Sequence, residues 1–406
     1  MGKKVVFILT VVLLLCWVVQ PGWAQPSLSI NGQAAVLLDA NSKQVLYENN
    51  KDEKLPPASI TKILTTIMAI ESGRLDETVT IGPNPPRLEG TRVYLEEGEK
   101  IKLRELVIAS LVHSANDAAM AIAEHLGGTE EKFALAMNER ARELGARNSN
   151  FVNAHGLSAE NHYTTAYDMG VISCYAMQNE TFREIVKMKV YDWEGQAWQT
   201  RLINKNELLW SYKGANGMKT GYTKEAKCTI VASAARDGQE FIAVVLGSVG
   251  NNTWADAEKV LDYGFANFRK LQLAKPDEVA ARVQFDPEEK KELLLATGQG
   301  LTITVPNSAN QKVESHVVLN PLGKKVEKGQ ISGKMEYYVD GEQVGSVDLI
   351  ARNSLVLSSR PYFEYVLFVI AGIYLCQIMW RIYQRYRSRR RNNLFTSRRS
   401  SRYYYR

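Results

Sequence analysis

Near the C-terminus, Tyr362 to Tyr383 forms a stretch whose only strongly polar members are Glu364, Gln377 and Arg381. Val366 to Cys376 carries no charge, and aromatic residues flank it, with Tyr362, Phe363 and Tyr365 before and Trp380 and Tyr383 after. A helix of this length and composition can cross a hydrocarbon core of about 30 Å with its rings at the two interfaces. A helix lying in the interface is the competing reading, but Glu364 and Gln377 offer too little polarity for its wet face. After Glu364 the chain has no acid and ten Arg, from Arg381 to Arg406. Such a tail belongs on the cytoplasmic side, where each Arg near an anionic leaflet is worth roughly 1 kcal/mol. The 406 residues therefore divide into a long body, a transmembrane helix over 362–383 and an Arg-rich cytoplasmic tail over 384–406.

The other end agrees with this division. Lys3 and Lys4 precede an apolar run, Val5 to Val19, that Pro21 and Gly22 break before Trp23-Ala24. That pattern reads as a secretory signal peptide over 1–24, with an uncleaved anchor as the alternative; either way the body is exported. The net charge is +6, and setting aside the twelve positive charges of Lys3, Lys4 and the Arg tail leaves the body at −6. A basic groove for nucleic acid is thereby excluded from the expectations. With 45% apolar and 23% charged residues the body has the means to build a core. Cys174 and Cys228 do not make a disulfide framework, and five scattered His lack ligand spacing, so neither a metal nor another cofactor is expected.

Along the body, Ala34 to Asp39 and Gln44 to Tyr47 read as strands, and Ser59 to Glu71 carries a helical apolar stripe that Gly73 stops. Leu103 to Leu111 and Ala118 to Leu126 are further apolar helices. Thr229 to Ala235 and Phe241 to Gly247 read as strands joined by Arg236-Asp237-Gly238-Gln239, and a helix over Asp256 to Leu271 follows. The order predicts an α+β domain, an antiparallel sheet with packed helices and an additional helical region, over 25–272. From 273 to 358 short alternating runs, such as Leu301 to Val305 and Lys334 to Val339, predict a small β-rich domain.

Three clusters carry chemistry. In Pro56-Pro57-Ala58-Ser59-Ile60-Thr61-Lys62 a hydroxyl opens a helix, and a Lys lies one turn along beside an apolar stripe. An opening Ser is ordinarily a cap, but the capping box asks for Glu or Gln where Lys62 stands. A Lys confined there must shed its charge, dropping from about 10.4 to about 7 to act as a base, at a cost of roughly 4–5 kcal/mol. It could then take the proton of Ser59. Ser114-Ala115-Asn116 places a hydroxyl and an amide between two helices, and Lys219-Thr220-Gly221-Tyr222 offers a cation, a hydroxyl and a place without a Cβ just before a strand. Each cluster alone has a structural explanation. The three in this order are far more specific.

These motifs resemble the penicillin-recognising serine enzymes, with their β-lactamase/transpeptidase-like fold. Pro56 to Lys62, Ser114 to Ala119, His155-Gly156-Leu157, Asn161 to Thr165 and Gly217 to Thr223 narrow the resemblance to low-molecular-weight penicillin-binding proteins that are D-alanyl-D-alanine carboxypeptidases. It extends from about residue 29 to about 357. The resemblance implies that Ser59 is the nucleophile and Lys62 its base, with Ser114 relaying a proton and Asn116 holding the peptide. It further implies that Lys219 and Thr220 bind the terminal carboxylate, and that the N–H groups of Ser59 and Tyr222 form an oxyanion hole. The implied partners are a peptidoglycan stem peptide ending in D-Ala-D-Ala, β-lactam antibiotics and the cell membrane, with catalysis outside the cytoplasm. A class A-like β-lactamase, a D,D-endopeptidase and a non-catalytic wall-binding protein are the competing readings. Two departures stand out. The Arg that many relatives carry before the last catalytic-domain helix is missing from Asn251 to Asp256, and the C-terminal helix spans where the family's usual anchor is amphipathic.

Overall fold

A computed structural model describes residues 28–250, 252–286, 291–308, 310–356 and 362–396. The expected signal peptide over 1–24 and the end of the Arg tail lie outside the described residues. The chain forms two compact units, Met1–Leu273 with Thr302–Lys312, and Ala274–Leu301 with Val313–Arg406.

The first unit is built on five antiparallel strands, β1 (Ala34–Asp39), β2 (Val45–Asn49), β3 (Ala215–Thr223), β4 (Lys227–Arg236) and β5 (Gln239–Ser248), in the order β2-β1-β5-β4-β3. Successive side chains leave a strand on opposite faces, and here both faces are covered. Val36, Leu38, Val231, Ile242 and Val244 enter one core, while Leu37, Ile230, Ala232, Ala243 and Val245 enter another. Double burial explains why β1 and β5 read as continuous apolar runs, each buried Leu or Ile stabilising the fold by about 1.5–3 kcal/mol. The β4–β5 turn has Asp237 and Gly238 both at positive φ (49° and 77°), as a two-residue Asp-Gly hairpin requires.

The larger core holds α1 (Lys62–Glu71), α2 (Leu103–Ile108), α3 (Asn116–Gly127), α4 (Glu130–Leu144) and α5 (Ala166–Ala176). Thr165 caps α5, its Oγ1 accepting from Asp168 N at 3.0 Å. The other face is covered by α6 (Asn252–Asn267) through Ala257, Val260 and Leu261. Residues Lys62 to Thr66 of α1 and Asn116 to Ala119 of α3 are buried, so both helices start inside the unit. β3 is an edge strand of the sheet, and the turn that leads into α1 packs against it.

The second unit contains another five-stranded antiparallel sheet: β6 (Val279–Asp286), β7 (Lys291–Thr297), β8 (Val313–Leu319), β9 (Ile331–Val339) and β10 (Glu342–Ala351), in the order β6-β7-β10-β9-β8. Within the stretch expected as a β-rich domain over 273–358, Thr302–Lys312 groups with the first unit. There Thr304 Oγ1 donates to Asp39 Oδ2 at 2.6 Å, and Asn307 N donates to Asn267 O at 2.8 Å. Finally, α7 (Tyr362–Thr396) includes a segment, Tyr365–Ser388, long and apolar enough to cross a membrane.

Candidate active site

The approach to Ser59 is fixed from behind. Thr229 Oγ1 on β4 donates to Pro57 O at 2.9 Å, and Ala58 sits at φ +51°, a left-handed conformation that a residue with a Cβ adopts only under constraint. Ser59 does not cap α1 as a simple N-cap. It lies within a 3₁₀ turn, Ala58–Thr61, that runs into the helix at Lys62. At three residues per turn, side chains three apart eclipse one another. That tighter winding brings Ser59 Oγ and Lys62 Nζ to 3.0 Å.

Lys62 is fully buried, and its Nζ also lies 2.8 Å from Asn116 Oδ1 and 2.5 Å from His155 O. The Asn116 amide is oriented by its other end, where Nδ2 donates to Glu89 O at 2.7 Å, so Oδ1 must face the lysine. Burial first, and the charge of Lys219 second, hold Lys62 well below the usual lysine range against the opposing charge of Asp117. A neutral amine has two hydrogens and one lone pair. Two of its three neighbours can only accept, so the lone pair is left for the Ser59 hydroxyl.

Ser114 follows α2 through a π turn, Ala109–His113, and is itself left-handed at φ +71°. π turns are rare and recur at functional sites. Asn116 N donates to Thr91 O at 2.8 Å, and the buried Asp117 carboxylate accepts from Val93 N and Leu95 N at 3.1 Å. The strap carrying Gly90 and Thr91 is thus tied to the start of α3. On β3, Lys219 is 2% exposed and its Nζ donates to Thr220 O at 2.8 Å. Burial, and after it the charge of Lys205, lowers Lys219 to about 7. A cleft of about 540 Å³ gathers Ser59, Ser114, Asn116, Thr220, Gly221 and Tyr222, the six of the eight expected residues that reach its surface. Lys62 and Lys219 stand just behind it.

Residues 21–250 match a family model described as D-alanyl-D-alanine carboxypeptidase. The chain belongs to that family. Residues 268–356 match the penicillin-binding protein 5 C-terminal domain. The D-alanyl-D-alanine carboxypeptidase DacF of Bacillus subtilis (strain 168) is 31% identical over 83% of this chain and 89% of its own length. DacC of Escherichia coli (strain K12), also a D-alanyl-D-alanine carboxypeptidase, is 32% identical over 80% and 85%. Penicillin-binding protein 5 of Haemophilus influenzae superposes with a TM-score of 0.69 at 29% identity, over 81% of this chain and 99% of that one. The chain is accordingly a serine-type carboxypeptidase, and the competing readings as a lactamase, endopeptidase or non-catalytic protein are not favoured.

Within this carboxypeptidase the structure adds three observations on the expected site residues. A Cβ on Gly221 would lie 2.6 Å from Thr229 Oγ1 and 2.7 Å from Ser59 N. The strand's approach to the nucleophile turn therefore requires the glycine by itself. Asn116, expected as a clamp on the peptide, has both ends of its amide engaged inside the protein. The third concerns charge: burial, and after it the charge of Lys205, hold the Lys219 amine below the usual lysine range. Gly250, Thr253 and Trp254 also line the cleft. Lys205, which no motif singled out, also lines the cleft, and its charge acts on both Lys219 and His113.

Proposed function

We propose that this carboxypeptidase removes the terminal D-alanine from peptidoglycan stem pentapeptides through an ester on Ser59, and that β-lactams acylate the same hydroxyl. The reading is carried by the Lys62 amine, whose two hydrogens have acceptors and whose lone pair is left for Ser59 Oγ at 3.0 Å. Lys62 takes the Ser59 proton as Oγ attacks the penultimate carbonyl. The N–H groups of Ser59 and Tyr222 receive the oxyanion, each donor being worth about 3–4 kcal/mol in such sites. Ser114 passes a proton to the leaving D-alanine, and water then opens the ester.

Edge strand β3 leaves backbone groups free to pair with an extended peptide, which would lead its carboxylate towards Lys219, Thr220 and Lys205. Binding an anion raises a neighbouring amine, so the substrate completes the charge on Lys219. That charge in turn keeps Lys62 neutral. The same proposal places the catalytic domain, residues 25–272, outside the cytoplasm. The apolar leader and the Arg-rich tail support that side, with α7 as the anchor and the β-rich part of 273–358 between.

Intact-mass measurement of the protein after benzylpenicillin, followed by peptide mapping, tests the assignment. One adduct is expected, on the peptide containing Ser59, together with release of D-alanine from a pentapeptide ending in D-Ala-D-Ala. An adduct elsewhere, or no release, removes the proposal.

A further inference from the structure

Behind the nucleophile, the hydrogen bonds from His162 to Ala58 run in a single direction. His162 is 4% exposed, with the edge of its ring pair formed by Phe151 at 5.9 Å. Its Nδ1 accepts from Val152 N at 3.0 Å, and its Nε2 lies 3.1 Å from Thr61 Oγ1. Burial lowers the ring to about 4, with His155 adding to the effect and Glu130 opposing it, so the imidazole is neutral. Because Nδ1 spends its lone pair on a backbone N–H, the single ring hydrogen resides on Nε2 and is donated to Thr61. Thr61 Oγ1 then gives its own hydrogen to Ala58 O, at 2.9 Å. Ala58 is the left-handed residue that immediately precedes Ser59.

The Thr61 hydroxyl has two hydrogen-bond partners, His162 Nε2 and Ala58 O. The nearby Pro57 carbonyl already accepts from Thr229. The Ala58 carbonyl also abuts Gly156, where a Cβ would come within 2.0 Å of its oxygen, so that loop can approach no closer. We propose that His162 is a positioning residue: by donating to Thr61 it locks the Thr61 hydroxyl onto the Ala58 carbonyl and so holds the turn that aims Ser59 Oγ at Lys62. The proposal rests on Ser59 being the nucleophile. It adds that the aim of this nucleophile is set from outside the cleft, by a side chain that touches neither substrate nor Lys62.

The test is penicillin acylation of the full-length protein, resolved into a binding constant and a first-order acylation rate, for Thr61→Val, Thr61→Ser, His162→Phe, His162→Gln and the Thr61→Val/His162→Phe double variant. A misplacement of the reacting atoms by a fraction of an ångström to 1 Å costs on the order of 10²-fold in rate. Thr61→Val and His162→Phe are each expected to slow acylation about 30- to 100-fold with the binding constant unchanged. The double variant should be no slower than the worse single, because both break one chain of bonds. Thr61→Ser keeps both bonds, and His162→Gln keeps an N–H near the Nε2 position, so both should stay within about threefold to tenfold of the parent.

If His162→Phe fails to fold, His162→Gln and the two Thr61 variants still decide. A merely structural role predicts additive losses, with Thr61→Ser as impaired as Thr61→Val; either result overturns the proposal, as does a His162→Phe protein that acylates at the parental rate. Absence of any adduct on Ser59 in the parent protein would instead refute the nucleophile itself, and is seen before any variant is compared.

Discussion

Lys62 and Lys219 are both buried amines in one cleft, yet their surroundings ask opposite things of them. Burial first, and the charge of Lys219 second, hold Lys62 well below the usual lysine range, so its removal should abolish acylation. Lys62→Ala is expected to lower the second-order rate constant for benzylpenicillin by at least about 10³-fold, as measured by stopped flow, and a loss under tenfold would show that another group is the base. Lys219 is lowered to about 7 by burial and by the charge of Lys205, and a bound anion would raise it again. For a substrate with a free carboxylate, kcat/KM should therefore fall as pH rises through about 7. The alkaline fall of kcat itself should lie higher, because bound carboxylate retains the proton. A kcat/KM flat between about pH 6 and 9 would contradict this.

The same residue affects stability. Its amine is depressed in the fold relative to about 10.4 when unfolded, so folding releases a proton between those two values. The resulting destabilisation is complete below pH 7 and fades as pH rises towards 10.4. It amounts to roughly 5 kcal/mol, offset by about 1 for the bond to Thr220 O. Lys219→Met should accordingly raise Tm by several degrees at pH 6, with the gain shrinking by pH 10, while abolishing carboxylate binding. Calorimetry at the two pH values checks it. At this scale the motifs exposed Ser59, Lys62 and Lys219, whose residue types are costly to place without a use. Lys205 and the carbonyl of His155 were invisible, because neither a lone Lys nor a backbone oxygen leaves a mark in spacing.

At the scale of elements, the nucleophile turn and edge strand β3 work as one piece. Gly221→Ala introduces a Cβ 2.7 Å from Ser59 N and 2.6 Å from Thr229 Oγ1. Strand and turn must then part by several tenths of an ångström, and penicillin acylation should fall about 10²-fold while Tm drops by only a few degrees. Collapse of the fold instead would mean that the glycine serves the sheet as a whole. The sheet itself was legible: apolar runs bounded by Asp237-Gly238 could be little else, and β4 and β5 lie where the sequence placed strands. The 3₁₀ entry to α1 and the π turn before Ser114 were not. A winding of three or five residues differs from an α-helix in only a few hydrogen bonds, too short a stretch to alter an apolar period. The grouping of Thr302–Lys312 with the first unit was hidden for another reason, since an alternating strand does not state which neighbour it will pair with.

Across the whole molecule, the proposed chemistry and the proposed attachment lie in different parts of the chain. The Haemophilus influenzae structure aligns over 99% of its own length yet only 81% of this chain. A version ending at Val356 is thus expected to leave the membrane fraction and to be acylated within about twofold of the full-length rate. Continued pelleting with membranes would place a second attachment in the body. The anchor has a further consequence through its length. At 1.5 Å per residue, the 35 residues of α7 extend about 50 Å, against about 30 Å of hydrocarbon. Were α7 to cross the bilayer upright, some 20 Å of continuous helix would extend as a stiff rod beyond the lipid tails. Arginines resist being drawn in and ring side chains resist being drawn out, so the rod has one preferred depth, as a keel gives a hull one waterline.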